Sequence, residues 1–243
     1  MSLNACAEIV ERGDPERFRA VMAGPVEARR ILFPLFAFNV EVTRAPWVTQ
    51  EQMIAEMRLQ WWRDALEEIG QGGVVRKHEV VDALAEVLDP QAVGCLDRLI
   101  VARRWDIYSD AFDDGAHLAS YLDSTSGNLL WTAARLLGGT NEARVRDFAY
   151  GVGVSNLLRA APELDARGRK PLVDGTLVGV KSLATAGLAR LKNGAAPKPV
   201  KLTGFLARPT LRRAVSDPSR AASGALELGP MRQGVALLRA ALL

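Results

Sequence analysis

Apolar residues recur every three to four positions along almost the whole of this 243-residue chain, and no stretch shows sustained apolar and polar alternation with turn pairs. A period near 3.6 covers one face of a helix, whereas a half-buried strand needs a period of two, so the chain is expected to be all-α. The breakers fall between the periodic runs. Asp14-Pro15 reads as an N-cap followed by proline at the first helical position. Pro25 opens a helix through Phe38, with a kink or a late start expected at Pro34, and Pro46 ends it. Thr49 with Gln52 suggests a capping box for a helix from Gln50 to Ile69, closed by Gly70, Gly72 and Gly73. Further helices are expected from His78 to Leu88, Gln91 to Ser109, Ala116 to Leu137, Glu142 to Ala161 and Leu177 to Asn193. Beyond Gly194 prolines and cations crowd in. Only short helices are expected there, over Val200 to Ala207 and Leu211 to Val215, before an amphipathic stretch from Pro230 to Leu243.

With no Ser/Gly/Pro-rich linker before position 190, the chain is expected to form one domain over residues 1–243, residues 194–243 being a basic and abbreviated C-terminal part. No apolar run is long enough to cross a bilayer. The opening MSLNACAEIVERGD lacks a cationic region followed by an apolar stretch, so the expectation is a cytoplasmic chain, peripheral at most to the inner membrane. Cys6 and Cys95 form no C-x-x-C pair and are expected as buried thiols, and His78 and His117 have no helical partner, so neither pair suggests zinc. The net charge of +3 hides a division. From Ala166 onward there are 14 Lys and Arg against 3 Asp and Glu; of the whole-chain totals of 31 and 28 this leaves 17 and 25 in the first 165 residues, so the two parts carry +11 and −8. An acidic partner or an anionic membrane surface would suit the C-terminal part, as would self-neutralisation within the fold. Nucleic acid is disfavoured, because Phe205 is the only aromatic residue in that part.

Two stretches carry a resemblance. Tyr150 to Leu172 reads YGVGVSNLLRAAPELDARGRKPL and is similar, at Ser155, Asn156, Leu157, Leu158, Arg159, Gly168 and Arg169, to the Q-L-T-N-I-L-R-D-x-x-x-D-x-x-x-G-R helix of squalene and phytoene synthases. Leu32 to Arg44, LFPLFAFNVEVTR, resembles that family's Y-A-F-C-R-x-x-D-D-x-x-D helix through Phe36, Ala37 and Phe38. Met57 to Leu66, Leu99 to Asp110 and Tyr121 to Gly127 add weaker likeness, so the resemblance spans Asp14 to Leu172. AFNVE with WWRDAL looks like the non-catalytic branch that includes complex I assembly factors and their bacterial relatives. The resemblance implies an isoprenoid-synthase-like helical bundle around a central cavity, with Phe36, Phe38, Asn39, Tyr121, Gly127 and Asn156 as cavity candidates.

The family's metal-binding aspartates are missing under this frame. Their places fall on Thr43, Arg44 and Trp47 in one helix and on Ala160 and Leu164 in the other. Breaking an allylic diphosphate's C–O bond needs Mg²⁺ to neutralise charge on the leaving oxygens, and Mg²⁺ wants hard oxygen ligands. Arg44, Arg159, Arg167 and Arg169 could bind a diphosphate or other anion, since guanidinium forks suit phosphate oxygens, yet they supply no metal. Asp106 and Asp110 have i, i+4 spacing and are the best remaining metal candidates, although aspartates running into a loop more often cap the next helix. Glu163 and Asp165 point to different helix faces and read as local ion pairs with Arg167 and Arg169; Glu41 is a lone carboxylate. Trp61, Trp62, Trp105 and Trp131 could line a prenyl channel or be plain core. The expectation is a protein that needs no cofactor and acts by binding, at a membrane respiratory complex by analogy. An active prenyl-diphosphate transferase using Mg²⁺ on displaced carboxylates and an isoprenoid or lipid carrier are the alternatives.

Overall fold

The computed structural model describes residues 2–49, 51–108 and 110–242, and every regular element among them is helical. In chain order these are α1 (Ser2–Gly13), α2 (Pro15–Ala23), α3 (Arg29–Arg44), α4 (Gln52–Gln71), α5 (Glu79–Ala85), α6 (Pro90–Arg103), α7 (Trp105–Tyr108), α8 (Gly115–Leu122), α9 (Asn128–Leu136), α10 (Glu142–Ala166), α11 (Leu177–Asn193), α12 (Lys198–Leu202), α13 (Ala207–Ser216), α14 (Ser219–Ala222) and α15 (Pro230–Leu242). Their starts follow capping chemistry, in which a side-chain oxygen takes one of the free N–H groups of the first turn. Asp14 accepts from the Arg17 N–H, Asp89 from Ala92, Asp114 from His117, Asn141 from Arg144 and Thr176 from Gly179. His78 plays the same part for α5, its Nδ1 accepting from the Val80 N–H.

Helix α3 is buried at nearly every position from Ile31 to Val42 and packs against α1, α2, α5 and α9. A helix apolar all round belongs in the interior. That burial explains why it runs unbroken through Pro34, where a kink or a late start was expected, and past Phe38 to Arg44, just before Pro46: tertiary packing outweighs the lost hydrogen bond. Pro162 is carried inside α10 in the same way, and α10 ends after Ala166, where Gly168 adopts φ of 78°. Thr49 accepts from the Glu51 N–H in a local turn rather than a capping box, and α4 begins at Gln52. The expected start at Gln50 lies outside the described residues, as does the expected end at Ser109.

The helix expected from Ala116 to Leu137 is interrupted by a π-helical turn over Asp123–Gly127 between α8 and α9. Helices α10 and α11 make the most extensive pairing in the molecule, and glycine permits it. A Cβ on Gly151 would stand 2.2 Å from Leu191 Cγ and 2.8 Å from the Gly187 carbonyl oxygen. One apolar core runs from Cys6 to Leu226, and a smaller cluster of Ala20, Leu202, Phe205, Leu206 and Leu228 receives α15. Cys6 and Cys95 are both buried free thiols, and burial pushes the Cys6 thiol up to about 12.

Candidate functional site

Helices α2, α3, α8, α10 and the α12–α13 turn enclose a cavity of about 710 Å³. Thr43 and Arg44 come to it from the end of α3, Trp47 from the 3-10 turn Ala45–Trp47 that follows, and Ala160 and Leu164 from α10. The five positions that replace the aspartates of the family pattern therefore share one wall system. Asn39, Asn156 and Tyr121 also line it, as do Arg159, Arg167, Arg169, Asp106 and Asp110. Phe36, Phe38 and Gly127 do not. Phe36 and Phe38 are fully buried on the core side of α3, where Phe38 meets Trp62 edge-on. Gly127 faces Asp123 and Arg146, whose close approach a Cβ would obstruct. Trp105 lines the cavity, stacked on Phe112, but Trp61 and Trp62 pack around His78 and Trp131 lies in the core.

The carboxylates that reach the cavity are mostly engaged by guanidinium groups. Arg159 holds Glu16 bidentately, Nη1 to Oε2 at 2.7 Å and Nη2 to Oε1 at 2.8 Å, with Glu227 at 4.0 Å from Nη2. Asp14 pairs with Arg17 at 3.1 Å while capping α2. Glu163 pairs with Arg167 one turn on, as the spacing suggested. Arg169 departs from the expected pairing with Asp165; it lies over the Trp47 ring at 4.6 Å and 3.9 Å from Asp106. Arg167 also lies over Trp47, at 4.8 Å, so two cations hold one indole.

Asp106 sits in the most enclosed polar cluster. Tyr121 donates its hydroxyl to Asp106 at 2.8 and 3.0 Å, and Arg103 donates to Asp106 at 3.1 Å and to the Tyr121 oxygen at 2.8 Å. Burial pushes the Tyr121 hydroxyl above its ordinary range, and Asp106 reinforces the shift, so it stays protonated. Burial opposes the charge on Arg103, but Tyr121 and Asp106 outweigh it and hold the guanidinium cationic. Arg103, Tyr121 and Asp106 form one hydrogen-bonded network, joined through Arg103 Nη1.

This donor set does not fit magnesium. A cation would have to displace hydrogen-bonded guanidinium from Glu16, Asp14, Glu163 or Asp106, and Asp110 is a single exposed carboxylate beyond the end of α7. Glu41 pairs with Arg44 at 3.4 Å and lies outside this cavity. Among the described residues no group of three or more His, Cys, Asp and Glu side chains gathers as metal ligands would. What the walls do offer is a cationic, partly exposed mouth at Arg44, Arg167, Arg169 and Lys170, and an apolar interior of Trp105, Phe112, Leu129, Val152, Leu157 and Phe205. Thr43 Oγ1 is buried at the wall without a hydrogen-bond partner, an orphaned donor that a bound group could satisfy.

Glu16, Arg17, Arg103, Thr125 and Ser126 were not singled out by the sequence, although all line the cavity. Only the cap at Asp14 offered a local signal in the sequence; the π turn, a feature frequent at functional sites, shows itself in the structure alone.

Three comparisons bear on kinship. The Squalene/phytoene synthase family model matches residues 10–173. "NADH dehydrogenase (ubiquinone) complex I, assembly factor 6 homolog" of Drosophila melanogaster is 30% identical over 179 residues, 69% of this chain and 53% of that protein. "NADH dehydrogenase (ubiquinone) complex I, assembly factor 6" of Mus musculus is 25% identical over 166 residues, 67% of this chain and 50% of its own length. The chain thus spans about half the length of these curated relatives. Among solved structures, a dehydrosqualene synthase in complex with ligand superposes with a TM-score of 0.79 at 13% identity, covering 98% of this chain and 95% of that one, which establishes the isoprenoid-synthase fold. With the family pattern matched across both cavity-forming helices, the chain belongs to the squalene/phytoene synthase family.

Proposed function

We propose that this chain has left metal-dependent prenyl transfer behind and works by binding, as an assembly-factor-like protein for respiratory complex I. The observation that carries the reading is the cavity's charge arrangement: Thr43, Arg44, Trp47, Ala160 and Leu164 stand where the family pattern has carboxylates, and Glu16, Asp14, Glu163 and Asp106 are each satisfied by arginine. A closed ion pair contributes to the fold and does not recruit a metal. The names of the Drosophila and mouse relatives supply the assembly role, with a protein of a membrane respiratory complex as the partner. A location in the cytoplasm, peripheral to the inner membrane, accords with the lack of any helix, among the described residues, long and apolar enough to cross a bilayer. The test is genetic. Removing the chain from its host should reduce assembled complex I, with recovery on re-expression; an unchanged level of the assembled complex would overturn the assembly role.

A second reading concerns the cavity itself and is favoured by its two-part lining. Arginines at the mouth and aromatic and aliphatic walls behind them suit an isoprenoid or lipid with an anionic head, taken up without metal. Binding of farnesyl monophosphate unaffected by chelator would support it, and no binding would remove it.

A further inference from the structure

Helix α15 has two apolar faces and docks with only one. Its inner side, Ala236, Leu237, Ala240 and Ala241, packs on the small cluster around Leu202 and Phe205. Gln233 pins the same side, accepting from Arg19 at 2.5 Å and donating to the Leu228 carbonyl at 2.8 Å. On the opposite side Met231, Val235, Leu238 and Leu242 are 84%, 45%, 60% and 76% exposed. Their spacing of four, three and four residues sets them in one line along the helix. Arg232 and Arg239, seven residues apart, lie on one edge of that line, and α15 contains no acidic residue.

We infer that α15 is a membrane-interfacial helix, its outer stripe seated in an anionic lipid surface with Arg232 and Arg239 at the level of the phosphate headgroups. An exposed apolar line of this kind, edged by cations and combined with a docked inner face, is what an in-plane amphipathic helix presents to a bilayer. Charge selects the occupant. The part of the chain from Ala166 carries +11, of which exposed Lys198 and Lys201 lie on the neighbouring α12. Cations crowd the approach to α15 too: burial, Arg220 and Arg232 together hold the Arg213 guanidinium below its ordinary range. A second copy of the chain is a poor complement, because a two-fold contact through this stripe would set arginine edges together with no acid to offset them. The two arginines within its described residues suit a helix that lies in the interface.

This inference deepens the membrane-side part of the proposed function and rests on it there alone; the cavity plays no part in the assay, so either can fail separately. The purified chain is sedimented with vesicles of phosphatidylcholine mixed with phosphatidylglycerol and with vesicles of phosphatidylcholine alone. Binding is expected to the mixed vesicles, to weaken with salt, and to fall at least about tenfold in Leu238→Glu and in the double variant Arg232→Glu with Arg239→Glu. Met53→Glu, on the exposed start of α4, is expected to bind as the parent does. All the substituted side chains are exposed, and an unchanged melting temperature checks that each variant folds. Equal binding to neutral vesicles, undiminished binding of Leu238→Glu, or no binding by the parent chain overturns the inference. A dimer in solution that Leu238→Glu converts to monomer would overturn it in favour of a second copy.

Discussion

Arg159 is the position at which two roles diverge. The family pattern offers it as a ligand for a diphosphate, whereas the structure uses it to tie α10 to α2 through Glu16, 143 residues away in sequence. Both side chains are about four-fifths buried, at 18% and 22% exposure, and the contact is bidentate. Breaking a fully buried pair by removing one partner costs about 3–5 kcal/mol, and an exposed pair about 0–1 kcal/mol. Residual exposure and the Gln233 hydrogen bond left to Glu16 put Arg159→Met between these, at about 2 kcal/mol. For a domain of this size that lowers the melting temperature by roughly 4–8 °C. Scanning calorimetry of Arg159→Met, Glu16→Gln and the double variant completes a cycle in which the double variant should lose about 1 kcal/mol less than the sum of the singles. A melting temperature within about a degree of the parent, or strict additivity, would refute the structural role and return Arg159 to the ligand.

Gly151→Ala should destabilise by about 2 kcal/mol or more, because the new methyl meets a backbone carbonyl that cannot rotate away; Gly94→Ala, with only Arg98 Nη1 at 3.7 Å, should stabilise by up to about 1 kcal/mol, and denaturant unfolding of the pair checks both. Arg135 hydrogen-bonds Asp89 and holds its carboxyl below the usual carboxylate range. Stability from that depressed value is present above the unfolded value of about 3.9 and is lost as pH falls through the lower folded value. Asp89→Asn, which keeps a capping oxygen, should therefore melt slightly below the parent at pH 7, by about 0.5–1 kcal/mol, with the gap closing below about pH 4. A gap that stays constant from pH 7 to about pH 3 would contradict the assignment.

The frame set by Phe36, Ala37 and Phe38 and by Asn156 and Arg159 was legible because helical spacing is local: once two helices are placed, the faces of Thr43, Trp47, Ala160 and Leu164 follow. Beyond the local Glu163–Arg167 pair, which acid meets which arginine was not legible. Arg169 turns to Trp47 and Asp106 across the fold, whereas Asp165 was its neighbour in sequence. The prolines misled for a related reason. Pro34 read as a kink or a late start and the α10 helix was expected to end at Ala161, just before Pro162, yet both prolines sit inside helices, Pro34 buried and Pro162 half-buried. The outer stripe of α15 was visible only as amphipathicity, because sequence alone does not say which of two apolar faces the bundle covers.

The central claim is that this cavity has exchanged metal ligands for internal ion pairs. Its most direct test is incubation of the purified chain with farnesyl and geranylgeranyl diphosphates, with and without Mg²⁺, followed by measurement of released diphosphate and prenyl products. No release above the protein-free control, with or without the metal, is predicted. Diphosphate released only when Mg²⁺ is present would mean that carboxylates now paired with arginine open to hold the ion, and would contradict the account.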